Sequence, residues 1–328
     1  HEKAQRQVKL MAHDLYAVYK AFDSHDQVKH YESFKTLVTV FHQQCEVVES
    51  KENMPCEIVI REKPLGDEII SSPHNTDARY VKKGKQSVCG QKGFLTETCD
   101  KTNQTQFITD VEVTPATTSD VKELPVIQKR LEASCMRPAE QYTDAGFVNG
   151  QTILDSREKS ISLEGPSSGR SQSFERFRAE DRPFDTADFE IKIEEDNREV
   201  TVLACPEKQI PTSQSRSEST GKMLVHFDPE ICSACSVNTR CPVKIGKRVA
   251  TLTIDEASYM GAHRHHQYME NTDYRKQCAT RAGVEATVSE MVRSHGVRKS
   301  RHRTESSYAL PSFRYQMETG TAYRHRHY

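Results

Sequence analysis

The chain has 328 residues, of which 35% are hydrophobic and 28% charged, with no Trp and a formal net charge of -1. This length is enough for one large domain or two smaller ones with a sizeable core. No apolar run approaches the roughly 18 residues that span a bilayer, and the N-terminus lacks the apolar core of a signal peptide, so the sequence excludes a membrane protein and predicts a cytoplasmic one.

Two helices are predicted at the N-terminus. Apolar residues recur in steps of three and four in 8–22 and again in 31–48, which indicates a helical hairpin. Pro and Gly among charged residues in 50–76 indicate a connector, with one short strand at 57–61. Because the chain starts inside a predicted helix, we expect a further portion before it.

Strands and helices then alternate. The stretches 94–99 and 107–114 are separated by a polar turn and predict a β-hairpin. Ser119 or Asp120 can cap the helix that follows, and a short strand then leads to Asp144. A carboxylate at the end of a short strand, followed closely by Gly, is typical of the place where α/β folds hold reacting groups.

A second hairpin is predicted further along the chain. The segments 189–193 and 200–204 alternate around a polar turn, and they bring Cys205 to the tip of the hairpin. Asp255 can cap a long helical segment that runs toward Glu285. The sequence contains no internal repeat.

Charge is distributed unevenly along the chain. Residues 275–328 contain 11 Lys and Arg against 4 Asp and Glu, a net of +7, whereas 151–200 contain 8 against 13, a net of -5. This asymmetry indicates an anionic partner for the basic end, with ordinary solvated faces as the alternative.

Four cysteines have the spacing of a metal site. Cys232, Cys235 and Cys241 form C-x2-C-x5-C, and Cys205 precedes them. Four thiolates suit a closed tetrahedral zinc site that stabilises a small loop-rich insertion, while the alternative is reduced cysteines that bind nothing. The histidines at 263, 265 and 266 are weaker metal candidates, because adjacent histidines on a helix face apart.

Five carboxylates are candidates for metal-dependent chemistry. They are Asp77, Asp100, Asp110, Asp144 and Glu285. Two-metal phosphoryl transfer requires about three carboxylates that converge on divalent ions. Each of these residues taken alone is more typical of a surface or capping position, so only a constellation of them indicates a site.

Several motifs in order provide that constellation. ITDVEVTPATTSDVKELPVI, QYTDAGFVNGQTIL, ISLEGP, the cysteine cluster and RAGVEATVSEMVRSHGVRKSRHR resemble, in order and spacing, the DDE transposases of the IS1182 group of bacterial insertion sequences. The resemblance covers about residues 10–303. It implies a mixed α/β ribonuclease H-like fold with an N-terminal helical segment and a cysteine-containing β insertion. The implied divisions are 1–72 (helical hairpin and connector), 73–200 (first part of the core), 201–250 (insertion) and 251–328 (helical part with basic tail).

The resemblance also implies functional roles. Asp144 matches the second catalytic acid and Glu285 the third, and together they would hold Mg2+ or Mn2+. Arg281 matches the Arg of the Y-x2-R-x3-E-x6-K signature, which contacts DNA phosphate without reading bases. The implied DNA-binding residues are Arg281, Arg293, Arg298 and Arg301. The implied partners are transposon-end DNA and further copies of the chain assembled on it.

The sequence departs from this family in three respects. The first catalytic Asp belongs on a strand upstream of the opening helices, so we expect it to be missing. Cys278 and Val292 replace the Tyr and Lys of the signature, and an altered end follows Arg303. We therefore expect a transposase that is truncated and inactive. The alternatives are a non-catalytic DNA-binding remnant and a pseudogene product.

Overall fold

A computed structural model describes residues 2–48, 56–65, 68–84, 86–168, 182–194 and 198–295. Helices and strands are mixed along the chain, which confirms the predicted α/β class in its coarse form. The described residues divide into two compact units. The first unit draws on 2–95, 111–118 and 291–295, and the second on 96–110 and 119–290.

The first unit contains the predicted helical hairpin. Its elements are α1 (Glu2–Phe22), α2 (Glu32–Gln44), β1 (Cys45–Val48), β2 (Glu57–Ile60), β3 (Arg79–Lys83) and most of β4 (Gln86–Glu97). Phe41 of α2 is 1% exposed and stacks on Tyr16 of α1 with 5.5 Å between ring centroids. Ala12, Cys45 and Ile58 complete this small core. The predicted hairpin and the predicted strand in the connector are both confirmed.

The second helix of the first unit ends earlier than its apolar spacing predicts. Cys45 and Val48 continue the apolar spacing of α2, yet the chain becomes extended at Cys45 and pairs antiparallel with β2. The prediction of helix up to Val48 was therefore wrong, because strand pairing replaces the last helical turn. On α1, the apolar stripe contains exposed side chains. These are Val8, Met11, Val18 and Phe22.

The second unit contains the remaining elements. They are β5 (Ile108–Pro115, shared with the first unit), α3 (Asp120–Ala133), β6 (Glu140–Tyr142), α4 (Gly150–Glu158), β7 (Ser162–Glu164), β8 (Glu190–Ile193), β9 (Val200–Ala204), β10 (Ser213–Arg216), β11 (Met223–Phe227), α5 (Pro229–Ala234), β12 (Lys244–Ile245), β13 (Ala250–Ile254), α6 (Glu256–Glu270), α7 (Thr272–Cys278) and α8 (Ala282–His295, shared with the first unit). The helix after Ser119, the strand before Asp144 and the second hairpin are thus confirmed, although the turn of that hairpin lies outside the described residues.

The strands form several small sheets. β3, β4 and β5 are neighbours in one sheet, and β10, β11, β13 and β12 follow in that order in another. β8 and β9 pair antiparallel, whereas β6 and β7 pair parallel. No described helix combines the length and the apolar character needed to cross a membrane.

Two buried clusters hold the second unit together. Leu124 of α3, Ile153 of α4 and Leu163 of β7 pack with Val148 beneath the β6–β7 pair. The larger cluster joins the strands that surround the cysteines. It contains Phe189, Val200, Val202, Met223, Val225, Phe227, Val243, Ala250, Leu252 and Ile254. The site described next lies beside the smaller cluster.

Candidate active site

The loop after β6 presents Asp144. The backbone N–H of Thr143 donates to the carbonyl of Glu164 at 2.9 Å, which extends the parallel pairing by one residue. Gly165 has φ 147°, and a Cβ there would lie 2.4 Å from the Thr143 carbonyl oxygen, so only glycine fits this close approach. Asp144 follows with its side chain 62% exposed. The carboxyl ends of parallel strands are where open α/β sheets hold ligands, and this carboxylate is accessible there.

The helix after Asp144 is fixed by its own cap. Asn149 and Thr152 form a capping box, with the Thr152 N–H donating to Asn149 Oδ1 at 2.9 Å. Gly150, the first residue of α4, lies directly against α6, since a Cβ there would be 1.6 Å from the Ala257 carbonyl oxygen. The close packing of α4 on α6 therefore requires glycine at 150.

Arg281 joins the two predicted catalytic acids. Its Nη1 contacts Oε1 of Glu285 at 2.9 Å and also Oδ1 of Asp144. Arg281 is 30% exposed, whereas the two carboxylates are 62% and 63% exposed. Because both oxygens contact one nitrogen, they lie within about 6 Å of each other. The structure thus brings together three residues that the sequence resemblance selected from positions up to 141 apart.

Glu164, at the end of β7, anchors the two helices that precede this arginine in the chain. Its Oε2 accepts from the Tyr274 hydroxyl at 2.7 Å and from Arg264 Nη1 at 2.9 Å. The side chains of Glu164 and Arg264 are only 12% and 11% exposed. Arg264 also donates to the carbonyl of Leu163. One buried carboxylate thereby ties α6 and α7 to the strand beside Asp144.

Tyr274 acts in this network as a protonated donor. Burial raises the pKa of Tyr274, and its hydrogen bond to Glu164 raises the pKa further against the opposing charge of Arg264. The tyrosine oxygen also accepts from the Gly165 N–H at 3.3 Å. No pattern in the sequence predicted a role for the side chains of Glu164, Arg264 and Tyr274. The one signal was that Glu164 lies within the ISLEGP motif.

Two further contacts position α7 and α8. Gln277 Nε2 donates to the Tyr142 hydroxyl at 2.8 Å, which attaches α7 to β6. Burial and a hydrogen bond to Glu140 raise the pKa of Tyr142 to about 12. Thr287 of α8 donates to Glu97 Oε2 at 2.7 Å. Thr287 lies two residues, about 200° of helix, from Glu285, so Glu97 contacts the other side of α8.

The other acidic candidates have different environments. Asp110 accepts two 2.8 Å hydrogen bonds from Arg130 and is buried, which is the geometry of a structural ion pair. Asp100 accepts from the N–H and hydroxyl of Thr102 within its own turn, and these bonds lower its pKa. Asp77 lies before β3 in the first unit. Of the five candidates, Asp144 and Glu285 are the pair that shares a partner in the described structure.

The predicted DNA-binding arginines are only partly described. Arg281 pairs with the two acids, and Arg293 is exposed near the end of α8. Arg298 and Arg301 lie outside the described residues. Cys278, in place of the signature tyrosine, is 2% exposed. The contacts of these arginines with DNA remain predictions.

The four predicted zinc ligands surround one cavity. Cys205 follows β9, Cys232 lies in α5, Cys235 caps the C-terminal end of that helix and Cys241 follows a 3-10 turn. The cavity that they line has a volume of about 420 Å³. All four are half-buried and carry no disulfide. The fold therefore gathers residues from the open end of a hairpin and from a short helix. The prediction that Cys205 lies at the tip of the hairpin was wrong, because Cys205 follows β9 at the end away from the turn.

The thiols respond to one another's charge. Burial raises the pKa of Cys232, and the nearby cysteines raise it further. Burial also raises the pKa of Cys241, again with contributions from Cys205 and Cys235. Among the described residues, the side chains whose ligating atoms all lie within 4.8 Å of one another belong to a different group, Asp185, Asp188 and His266. The thiols are thus neighbours that are wider apart than zinc ligands, and zinc binding remains a prediction.

The Asp185, Asp188 and His266 group has internal charge partners. Arg182 binds the Asp188 carboxylate through both terminal nitrogens, and His266 Nε2 lies 3.3 Å from Asp185 Oδ1. Burial alone would lower the pKa of His266, but the two carboxylates outweigh it and raise the pKa. His266 also faces Glu270 of its own helix at 3.8 Å. We interpret this group as an ion-pair cluster between α6 and the turn Thr186–Asp188.

A family comparison covers part of the candidate site. Residues 204–312 match the family described as "Transposase DDE domain". This match supports a DDE transposase. No curated protein and no solved structure matches the chain.

The transposase match covers one third of the chain. It includes the four cysteines, Arg281 and Glu285, and it begins after Asp144. The catalytic and metal-binding roles of individual residues are therefore not assigned by the match. What links Asp144 to the matched segment is its contact with Arg281.

Proposed function

We propose that this chain carries a DDE transposase site for metal-dependent phosphoryl transfer at the ends of a bacterial insertion sequence of the IS1182 group. The observation that carries the proposal is the convergence of Asp144 and Glu285 on Arg281 at the carboxyl end of β6. Glu285 lies in the segment that matches a transposase DDE domain. Two carboxylates and an arginine that can bind phosphate lie together at an exposed site, and this combination suits chemistry on a DNA backbone.

The proposed fold is ribonuclease H-like. The sheet β3–β4–β5, the helix α3 and the parallel pair β6–β7 follow one another along the chain, which agrees with part of this fold. Among the described residues, β6–β7 is a two-stranded parallel sheet, an arrangement that is marginally stable alone and ordinarily lies inside a larger sheet. This supports a further strand beside β6, and we place the first catalytic acid on it.

The proposed cofactor is Mg2+ or Mn2+. Carboxylate oxygens are the ligands that these ions prefer, and both side chains are more than 60% exposed, so the donor set fits. When bound, such an ion activates the attacking oxygen and stabilises the leaving one. Asp144 and Glu285 would hold the ion, Arg281 and Arg293 would hold the DNA phosphates, and Glu164 keeps α6 and α7 in place.

The proposal extends to the rest of the molecule. The four cysteines that line one cavity would hold structural zinc in an insertion at 201–250, between a core at 73–200 and a helical part at 251–328, with the hairpin and connector at 1–72. The protein acts in the cytoplasm as a homo-oligomer on transposon-end DNA. Two carboxylates are too few for two-metal catalysis, so we propose that this chain by itself is inactive or nearly so.

A DNA nicking and binding assay tests this proposal. A supercoiled plasmid that carries the element's ends is incubated with the chain and Mn2+, and binding is measured across a salt titration. We expect salt-dependent binding, and nicking that is weak and lost in Asp144→Asn and Glu285→Gln. Glu290→Gln, on the same helix and exposed, is the matched control and should behave like the unaltered chain.

Three outcomes separate the alternatives. Binding that weakens with salt, with no nicking that depends on either acid, would identify a non-catalytic DNA-binding remnant. Robust nicking that Asp144→Asn abolishes would show that another acid completes the site and that the chain is active. Affinity for DNA that does not change across the salt titration would exclude both kinds of DNA-binding protein.

A further inference from the structure

Arg281 lies between the two acids and contacts both. One guanidinium nitrogen, Nη1, contacts both Asp144 and Glu285. A guanidinium carries five N–H donors in a planar fork, and both of these contacts use the same end of it. The positive charge therefore lies where the proposed function, on which this inference rests, requires the two carboxylates to hold a divalent cation.

The pairing is of a kind that exchanges readily. All three side chains are at least 30% exposed, and exposed ion pairs contribute little to stability. Arg130 provides the contrast, because it binds the buried Asp110 through two parallel hydrogen bonds. The helices near Arg281 are independently anchored through Glu164. Arg281 can thus leave its carboxylates without loss of the local fold.

We propose that Arg281 is an exchangeable counter-ion that couples metal binding to DNA binding. Without metal it neutralises Asp144 and Glu285 and holds them together. A divalent cation competes for the same carboxylate oxygens. The displaced guanidinium then binds a DNA phosphate, because its planar fork of N–H donors matches phosphate oxygens as well as carboxylate oxygens.

The exchange has a thermodynamic consequence. A phosphate that attracts Arg281 releases the carboxylates and so strengthens metal binding, and by reciprocity the metal strengthens phosphate binding by the same factor. The site then binds metal tightly only when a DNA backbone is present. Such coupling limits metal-dependent chemistry to the DNA-bound protein.

Titration of the whole chain with Mn2+ tests the proposal, with free Mn2+ measured by electron paramagnetic resonance. Arg281→Gln should tighten Mn2+ binding about tenfold, because it removes a positive charge within a few ångströms of the cation. Arg281→Lys keeps the charge and should bind as the unaltered chain does. Arg275→Gln is the matched control, since this exposed arginine on α7 has the same charge. Its Mn2+ affinity should change less than twofold.

A second arm tests the coupling. Dimethyl phosphate, a monoanionic phosphodiester, should tighten Mn2+ binding severalfold in the unaltered chain and leave Arg281→Gln unchanged. Circular dichroism checks that each variant is folded. If Arg281→Gln binds Mn2+ no more tightly than Arg275→Gln does, the exchange is refuted.

Asp144→Asn separates this inference from the proposed function. Mn2+ binding that Asp144→Asn weakens, but that Arg281→Gln does not strengthen, overturns the exchange and keeps the metal site. Binding that is insensitive to Asp144→Asn, alone or combined with Arg281→Gln, overturns the proposed metal site itself. Absence of Mn2+ binding in every variant overturns both.

Discussion

Removing the charge of Glu164 should loosen the helices that carry the candidate site. Its carboxylate accepts hydrogen bonds from Ser162, Arg264 and Tyr274, and the Glu164 and Arg264 side chains are about nine-tenths buried. Breaking a buried ion pair by removing one partner costs 3–5 kcal/mol. Because both side chains keep some exposure, we expect the lower end, about 3 kcal/mol, for Glu164→Gln.

Hydrogen exchange with mass spectrometry measures this effect locally. A loss of about 3 kcal/mol corresponds to about a hundredfold faster exchange in peptides from α6 and α7, if these helices open together. Tyr274→Phe removes one hydrogen bond to a charged group and should cost about 1.5 kcal/mol. The double variant should lose less than the sum, since both changes affect the same carboxylate.

The control is an exposed ion pair on a neighbouring helix. Glu158 on α4 lies 3.0 Å from Arg198, and both side chains are more than 40% exposed. Glu158→Gln should therefore change the free energy of opening, measured by hydrogen exchange, by less than about 0.5 kcal/mol. If the amides of α6 and α7 are as well protected in Glu164→Gln as in Glu158→Gln, the anchoring role of Glu164 is refuted.

Three further predictions concern the cysteines, His266 and Gly150. The zinc content of the purified chain, measured as zinc released by a chelator, should be lost in Cys235→Ser. It should be kept in Cys89→Ser, which changes an exposed cysteine elsewhere, and equal zinc in both variants would contradict the proposed site. The raised pKa of His266 means that its charge stabilises the fold fully below pH about 6.5 and that this contribution is lost as pH rises through the folded pKa. The melting temperature of His266→Gln should thus fall below that of the unaltered chain at low pH and approach it at higher pH, and a gap that widens with pH would refute this. Gly150→Ala should destabilise the chain in a thermal melt by about 3 kcal/mol or more because its Cβ meets a backbone carbonyl, while Gly93→Ala, where a Cβ meets nothing within 4 Å, should be nearly neutral.

Local signals in the sequence predicted many of the elements. The apolar spacing of 8–22 correctly predicts helix over those residues, and the capping side chain of Asp255 correctly predicts where a helix starts. Both signals depend on residues only a few positions apart. The helix predicted through 45–48 failed for a non-local reason, namely pairing with β2. Periodicity within α2 contains no information about that partner.

In the candidate site, too, local motifs were predictable from the sequence and contacts between distant residues were not. Asp144 and Glu285 were predicted through family motifs, and their meeting at Arg281 depends on packing that joins residues up to 141 positions apart. The Glu164 network spans 100 to 110 residues and uses side-chain types that are equally common on surfaces. Asp110 was a reasonable acidic candidate by residue type, but its environment is set by Arg130 on another element. Burial and partner identity, which decide between structural and catalytic acids, arise only in the folded chain.

The most direct test of the central claim is to map where a divalent ion binds. Fe2+ that replaces Mg2+ generates hydroxyl radicals with ascorbate and peroxide, and these cut the polypeptide beside the metal ligands. We predict cuts near residues 144 and 285 together, which excess Mg2+ suppresses and Asp144→Asn abolishes at both places. Cuts at one of these places only, or cuts that persist in Asp144→Asn, would contradict a metal site shared by Asp144 and Glu285.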